Sequence, residues 1–146
     1  MNPLHSRLLL VGSSARSRLH LRALLNELSV TQIDEANDGY EALALHRAHA
    51  YDLIVSEWDL PQLSGIDLLR AVRKGSTRSS ASFILMTAEQ LVPRTIEALH
   101  AGVNGLMELP LVRARAMDKL SRVISAIPER SGRGAARAAD LWSPSP

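Results

Sequence analysis

The stretch Leu53-Ile54-Val55-Ser56-Glu57-Trp58-Asp59-Leu60-Pro61 carries the residues of this sequence best placed to do chemistry. An apolar run ends abruptly in the Glu57 carboxylate and then turns through Asp59 and Pro61, with Gly65 close behind. A strand buried in a parallel sheet looks like this when it delivers one functional group to the carboxyl edge of that sheet. The ends of the other strands bring Gly12, Ser13, Thr87 and Leu109 to the same edge. Glu57 is the one carboxylate among these edge positions. Asp59, two residues past the strand, reads as a turn or helix-start residue. Five histidines form no compact ligand motif, and His46 and His49, three apart on a helix, read as surface residues. There is no cysteine, which excludes a disulfide framework and a thiolate metal site.

The elements that position these groups alternate strictly. Apolar runs predict strands over 7–12, 52–57 and 83–86, with a weaker one over 31–36 that rests on Val30 and Ile33 and a short one over 105–108. Leu21, Leu24, Leu25 and Leu28 form the inward stripe of a first helix, for which Ser13 or Ser14 offers the N-cap. Further helices are expected over 40–49, from Ser64, over 93–101 with Gly102 as its stop, and over 113–127. Asn37-Asp38-Gly39 reads as a turn, and Asp34, Glu35, Asp38 and Glu41 as a solvated acidic face. Five strand–helix pairs predict a doubly wound α/β fold with a parallel sheet.

The chain has 146 residues, 46% of them hydrophobic and 3% aromatic, so one domain with an aliphatic core is expected. That domain spans 7–127. Residues 128–146 are rich in Arg, Ala, Ser and Pro, with one prominent apolar pair, Leu141-Trp142, and read as a disordered tail. A formal charge of +2 with a pI near 9.5 does not point to DNA. No apolar run approaches the roughly 20 residues of a membrane span. No signal peptide is expected either, so a cytoplasmic protein is the reading.

Taken together, Ile54 to Pro61, Gly65, Met86-Thr87-Ala88-Glu89, Ala101-Gly102 with Gly105, and Pro110 resemble the response-regulator receiver domain, in the plan of the single-domain chemotaxis regulators. The resemblance covers about 7–127. It implies a flavodoxin-like (βα)5 sheet in the order 2-1-3-4-5 and phosphoryl transfer from a histidine kinase to one aspartate. Carried over residue by residue, it puts the phosphoacceptor position on Glu57 and the acidic pair on Gly12 and Ser13. The hydroxyl switch position falls on Thr87, the switch aromatic on Leu106 and the lysine on Leu109. Only Thr87 keeps the family's residue type. Mg²⁺ binding is therefore expected to be lost, leaving no cofactor, no metal and no enzymatic activity. Whether Leu109-Pro110 is cis, as the family's matching bond often is, stays open.

The resulting expectation is a degenerate receiver acting as a phosphorylation-independent adaptor in a two-component or chemotaxis-type pathway. Its partner would be a histidine kinase, a chemotaxis protein or an output protein. The resemblance implies docking on the fourth helix, fifth strand and fifth helix, with Arg94, Thr95, an exposed Leu106, Arg113 and Lys119 as contacts. Glu57 has two readings: a built-in mimic of a phosphorylated aspartate that accepts a hydrogen bond from Thr87, or a remnant bonded to backbone amides or solvent. Two alternatives stand beside the adaptor. Guanidinium forks suit phosphates, so Arg130, Arg133 and Arg137 mark a module for a nucleotide second messenger such as cyclic di-GMP. A weakly active phosphoacceptor using Asp59 or another acid is the other. Oligomeric state is left open.

Overall fold

Strands without polar alternation need cover on both faces, and this dictates the layers. The computed structural model of the chain describes residues 6–89 and 91–128. Leu8 to Val11 of β1 (Arg7–Val11), Leu53 to Val55 of β3 (Leu53–Glu57) and Phe83 to Met86 of β4 (Ser82–Thr87) are all buried. These three strands fill the middle of one parallel sheet. β2 (Gln32–Ala36) and β5 (Gly105–Glu108) form its edges, giving the order β2-β1-β3-β4-β5. This is the expected flavodoxin-like arrangement.

Alternate side chains along each strand enter opposite cores. On one side, Leu8, Leu10, Val55 and Ile84 meet Leu21, Leu24 and Leu25 of α1 (Ala15–Glu27) and Leu120 and Ile124 of α5 (Arg113–Ser125). On the other, Leu9, Ile54, Phe83 and Leu85 meet Ala42 of α2 (Gly39–His49), Ile66 and Leu69 of α3 (Gly65–Lys74), and Ala98 of α4 (Val92–Ala101). Each fully buried Leu or Ile contributes about 1.5–3 kcal/mol of transfer free energy. α4 is the exception among the helices, because Ala98 is its one fully buried residue.

Local chemistry sets the turns. Ser64 accepts a hydrogen bond from the Asp67 amide at 3.3 Å and caps α3 as expected. Ser14 takes the N-cap position of α1 without a side-chain bond. At Gly65 a Cβ would fall 2.2 Å from the Glu57 carbonyl, so only glycine lets α3 begin directly above the end of β3. Gly102 ends α4 at φ +88°, a left-handed conformation. The Leu109–Pro110 bond is cis.

Two expectations about polar residues are corrected. The acidic cluster around β2 is structural rather than a merely solvated face. Asp38 caps α2 by accepting from the Glu41 amide at 2.8 Å, while the Glu41 carboxylate accepts from the amide of Asn37, the residue before the cap, at 2.7 Å. Glu35 pairs with Arg18 at 2.6 Å and Arg22 at 2.9 Å, and Asp34 accepts from the Tyr51 hydroxyl at 2.5 Å. His46 is not on the surface either. It is buried, its Nδ1 accepts from the Tyr51 amide at 3.2 Å, and its Nε2 lies 2.9 Å from the Thr77 carbonyl. His49 is exposed, as expected.

Candidate functional site

The carboxyl edge brings together Gly12, Ser13, Glu57, Thr87 and Leu109, as the alternation of elements requires. Glu57 ends β3 half-buried and leans towards the start of α1. The Ser13 amide donates to its Oε1 at 3.1 Å and the Ser13 hydroxyl approaches the same oxygen at 3.4 Å. Its Oε2 lies 3.2 Å from the Ser17 hydroxyl, whose single proton is shared with the Ser14 carbonyl at 3.0 Å. Among the described residues these are the carboxylate's hydrogen bonds. The bond expected from Thr87 is replaced by bonds from the β1–α1 turn.

Gly12 and the longer Glu57 side chain suit one another sterically. A Cβ at Gly12 would meet the Arg18 stem at 3.3 Å and the Glu57 carboxyl carbon at 3.4 Å. The carboxylate thus lies against the space that a side chain at position 12 would need. Arg18 closes the remainder, donating to the Gly12 carbonyl while it pairs with Glu35. Burial raises the Glu35 carboxyl slightly, but the Arg18 hydrogen bond outweighs it and holds the group below the usual carboxylate range. The cavity left beside Glu57, lined by Ser17, Arg18 and Met86 among others, measures about 10 Å³. That is near the smallest space that admits one water.

Thr87 is engaged from another direction. Its Oγ1 accepts from Arg94 Nη1 at 2.7 Å and from the Glu89 amide at 3.1 Å. Arg94, on the first turn of α4, also forms a two-pronged pair with Asp59 at 2.9 and 3.1 Å. Its guanidinium carbon sits 4.7 Å from the ring centroid of Trp58. Such a contact is worth about 0.5–2 kcal/mol. The Arg94 hydrogen bond keeps the Asp59 carboxyl below its ordinary range. Asp59 is therefore one arm of an ion pair between the β3–α3 loop and α4, a role beyond that of a turn residue. No cation arrives from β5. Leu109 is half-buried against the α1–α5 core and its amide donates to the Thr87 carbonyl at 3.0 Å.

The residues expected on the docking face are spread differently. Arg94 turns inward as described, and Thr95 donates its hydroxyl to the Leu91 carbonyl at 3.3 Å. Leu106, expected to be exposed, is half-buried and packs against the α2–α3–α4 core. Arg113 pairs with Glu27 of α1, away from β5. Lys119 and Leu106 line a cavity of about 300 Å³ between β5 and α5, with Met107, Leu111 and Val112. Sequence reasoning missed Ser17, Arg18 and the inward role of Arg94. Ser17 falls on the first turn of α1 and Ser13 just before its N-cap, so their serine spacing was the one available signal; the path of the Arg94 side chain left none. Arg130, Arg133, Arg137 and Leu141-Trp142 lie outside the described residues.

Comparison with known proteins agrees with the fold. The family described as response regulator receiver domain matches residues 8–121. The chemotaxis protein CheY of Pseudomonas aeruginosa is 32% identical over 121 residues, which are 83% of this chain and 98% of that protein. Chemotaxis protein CheY-3 of Vibrio cholerae is 32% identical over 117 residues, 80% of this chain and 90% of its own length. Among solved structures, Vibrio cholerae CheY4 superposes with a TM-score of 0.74 at 25% identity, covering 81% of this chain and 98% of that one. The receiver domain of a Pseudomonas aeruginosa sensor histidine kinase, described with magnesium in its active-site cleft, gives 0.73 at 26% identity and covers 83% and 98%. With the fold, the sheet order and most of the length matched, the chain belongs to the response-regulator receiver family.

Proposed function

We propose that this receiver signals without phosphorylation, as a protein-binding adaptor in a two-component or chemotaxis-type pathway. The observation that carries the reading is the closed state of the Glu57 carboxylate. It is bonded by Ser13 and Ser17, with about 10 Å³ beside it. Gly12 and Ser13 supply no second carboxylate, and Arg18 already uses the Gly12 carbonyl. No group of three or more His, Cys, Asp or Glu side chains among the described residues could hold a metal ion. This donor set does not fit Mg²⁺, and neither Leu109 nor a metal neutralises charge developing on a transferring phosphoryl group. We therefore assign the domain no metal cofactor and no enzymatic step.

The phosphoacceptor alternative through Asp59 is disfavoured by its pairing with Arg94, which ties up both carboxylate oxygens. For the nucleotide alternative, the α5 arginines offer little support. Arg113, Arg115 and Arg122 pair with Glu27, Glu108 and Asp118. The docking surface we assign is the α4–β5–α5 face, where Leu91, Val92, Ile96, Leu99 and Val112 are all exposed. Exposed apolar residues gathered on one face favour an interaction site there. Its partner is a signalling protein of the kinds that receivers serve. No described helix is long and apolar enough to cross a membrane, and the cytoplasm is the compartment we assign.

Acetyl phosphate with Mg²⁺ tests the central claim, read by intact mass. The expected outcome is an unchanged mass. A species heavier by one phosphoryl group overturns the reading.

A further inference from the structure

The geometry points to Arg94 as an internal latch that fixes α4, and with it the exposed apolar row Val92, Ile96 and Leu99, against the carboxyl edge of the sheet. Resting on the reading that this face carries the output, the inference assigns its regulation to one side chain. α4 has little else to hold it. Ala98 is its one fully buried residue, and its N-cap Leu91 supplies no side-chain bond. Val92 and Leu99 are 70% and 64% exposed, so the helix turns apolar residues outward where most helices turn them in. Ala98 and the partly buried Ala101 are small anchors for ten residues.

Arg94 supplies what packing does not. From the first turn of α4 it reaches three different parts of the edge. Nη1 donates to Thr87 Oγ1 at the end of β4, the guanidinium fork grips Asp59 in the β3–α3 loop, and the planar group stacks over Trp58. Glu89 adds a fourth, looser contact at 4.0 Å. A planar guanidinium is pre-organised to satisfy these partners together, which a lysine ammonium cannot do. Other polar ties are Glu97 with Arg70 of α3, at 2.7 Å between two half-exposed groups, and Arg73 of α3 with the carbonyl of the C-cap Gly102 at the far end of α4, at 2.8 and 3.1 Å. An exposed pair such as Arg70–Glu97 contributes little. The Arg94 side chain is 21% exposed and its partner Asp59 67%, so the difference from the Arg70–Glu97 pair lies in the added bond to the buried Thr87 and the contact with Trp58.

Hydrogen–deuterium exchange on the full chain tests this, comparing Arg94→Met, Arg94→Lys, Asp59→Asn and Arg70→Met with the wild type. Loss of the latch is expected to speed exchange at α4 amides about tenfold or more in Arg94→Met, while β1 and α5 keep their protection. Asp59→Asn is expected to reproduce part of that effect, and to add nothing once Arg94 is Met. Arg94→Lys should recover only a fraction of the protection, and Arg70→Met should leave α4 close to wild type. Unchanged α4 exchange in Arg94→Met overturns the proposal. So does a uniform rise across the chain, or an equal loss in Arg70→Met. Exchange reads the latch and intact mass reads the phosphoryl question, so either idea can fail alone.

Discussion

At the scale of single residues, the Glu57 carboxylate is held by hydrogen bonds from the chain itself, and on the proposed reading shortening the acid does not restore phosphoryl transfer. Glu57→Asp is expected to remain unmodified by acetyl phosphate and Mg²⁺, by intact mass, because the missing groups are the carboxylates at Gly12 and Ser13 and the cation at Leu109. Phosphorylation of that single variant would show that the extra methylene alone had blocked the chemistry. The same substitution should cost only about 1 kcal/mol of stability, since water can replace a bond to the exposed Ser13. Glu57 itself was legible in the sequence because an apolar run ending in one carboxylate has few other meanings. Its partners were not. A carboxylate at a strand end can turn to either neighbouring loop, and the choice of Ser13 and Ser17 over Thr87 depends on space left by the absent side chain at Gly12. Arg94 was misjudged for a related reason. Its position on α4 was readable, but a long flexible side chain hides its destination.

At the scale of elements, the loop from α3 to β4 is pinned by polar groups. Arg73 donates to the Ser79 and Ala81 carbonyls at 2.7 and 2.6 Å, and Arg78 pairs with the fully buried Asp52 at 2.8 Å. His46 completes the set. The Tyr51 amide must donate to Nδ1, so the neutral ring carries its proton on Nε2 and gives it to the Thr77 carbonyl. Burial lowers the His46 pKa most, and the Arg78 and Arg73 charges add to it, against the two carbonyl hydrogen bonds that favour the charged ring. The folded value then lies below the unfolded value of about 6.5, so falling pH protonates the unfolded chain first. This contribution to stability is complete above about pH 6.5 and is lost as pH falls from there towards the folded pKa. Denaturant titrations from pH 5 to 8 should show that slope in the wild type and its absence in His46→Leu; the same slope in both would assign it elsewhere. Sequence alone placed His46 on a helix surface, because one apolar stripe on α2 gave no sign that the α3–β4 loop folds over its far end. The strands fared better. β1, β3 and β4 came from uninterrupted aliphatic runs, whose burial on both faces leaves no competing arrangement.

At the scale of the whole molecule, the two cores are ordinary and the asymmetry lies in what α4 leaves uncovered. Ile96→Asp is expected to change stability by no more than about 0.5 kcal/mol, as befits an exposed position. It should at the same time abolish capture of the binding partner in pull-down assays. Retained capture would move the docking surface away from α4. The fold was readable from alternation of elements, but this outward apolar row was not, because the same residues satisfy a helical period that normally faces a core. There is a consequence for timing. A transferred phosphoryl group is also a clock, since its hydrolysis ends the message. On the proposed reading, a receiver whose Glu57 is held by Ser13 and Ser17 carries no phosphoryl group to hydrolyse. The duration of its message would then be set by synthesis and removal of the polypeptide, and its strength by the number of copies present.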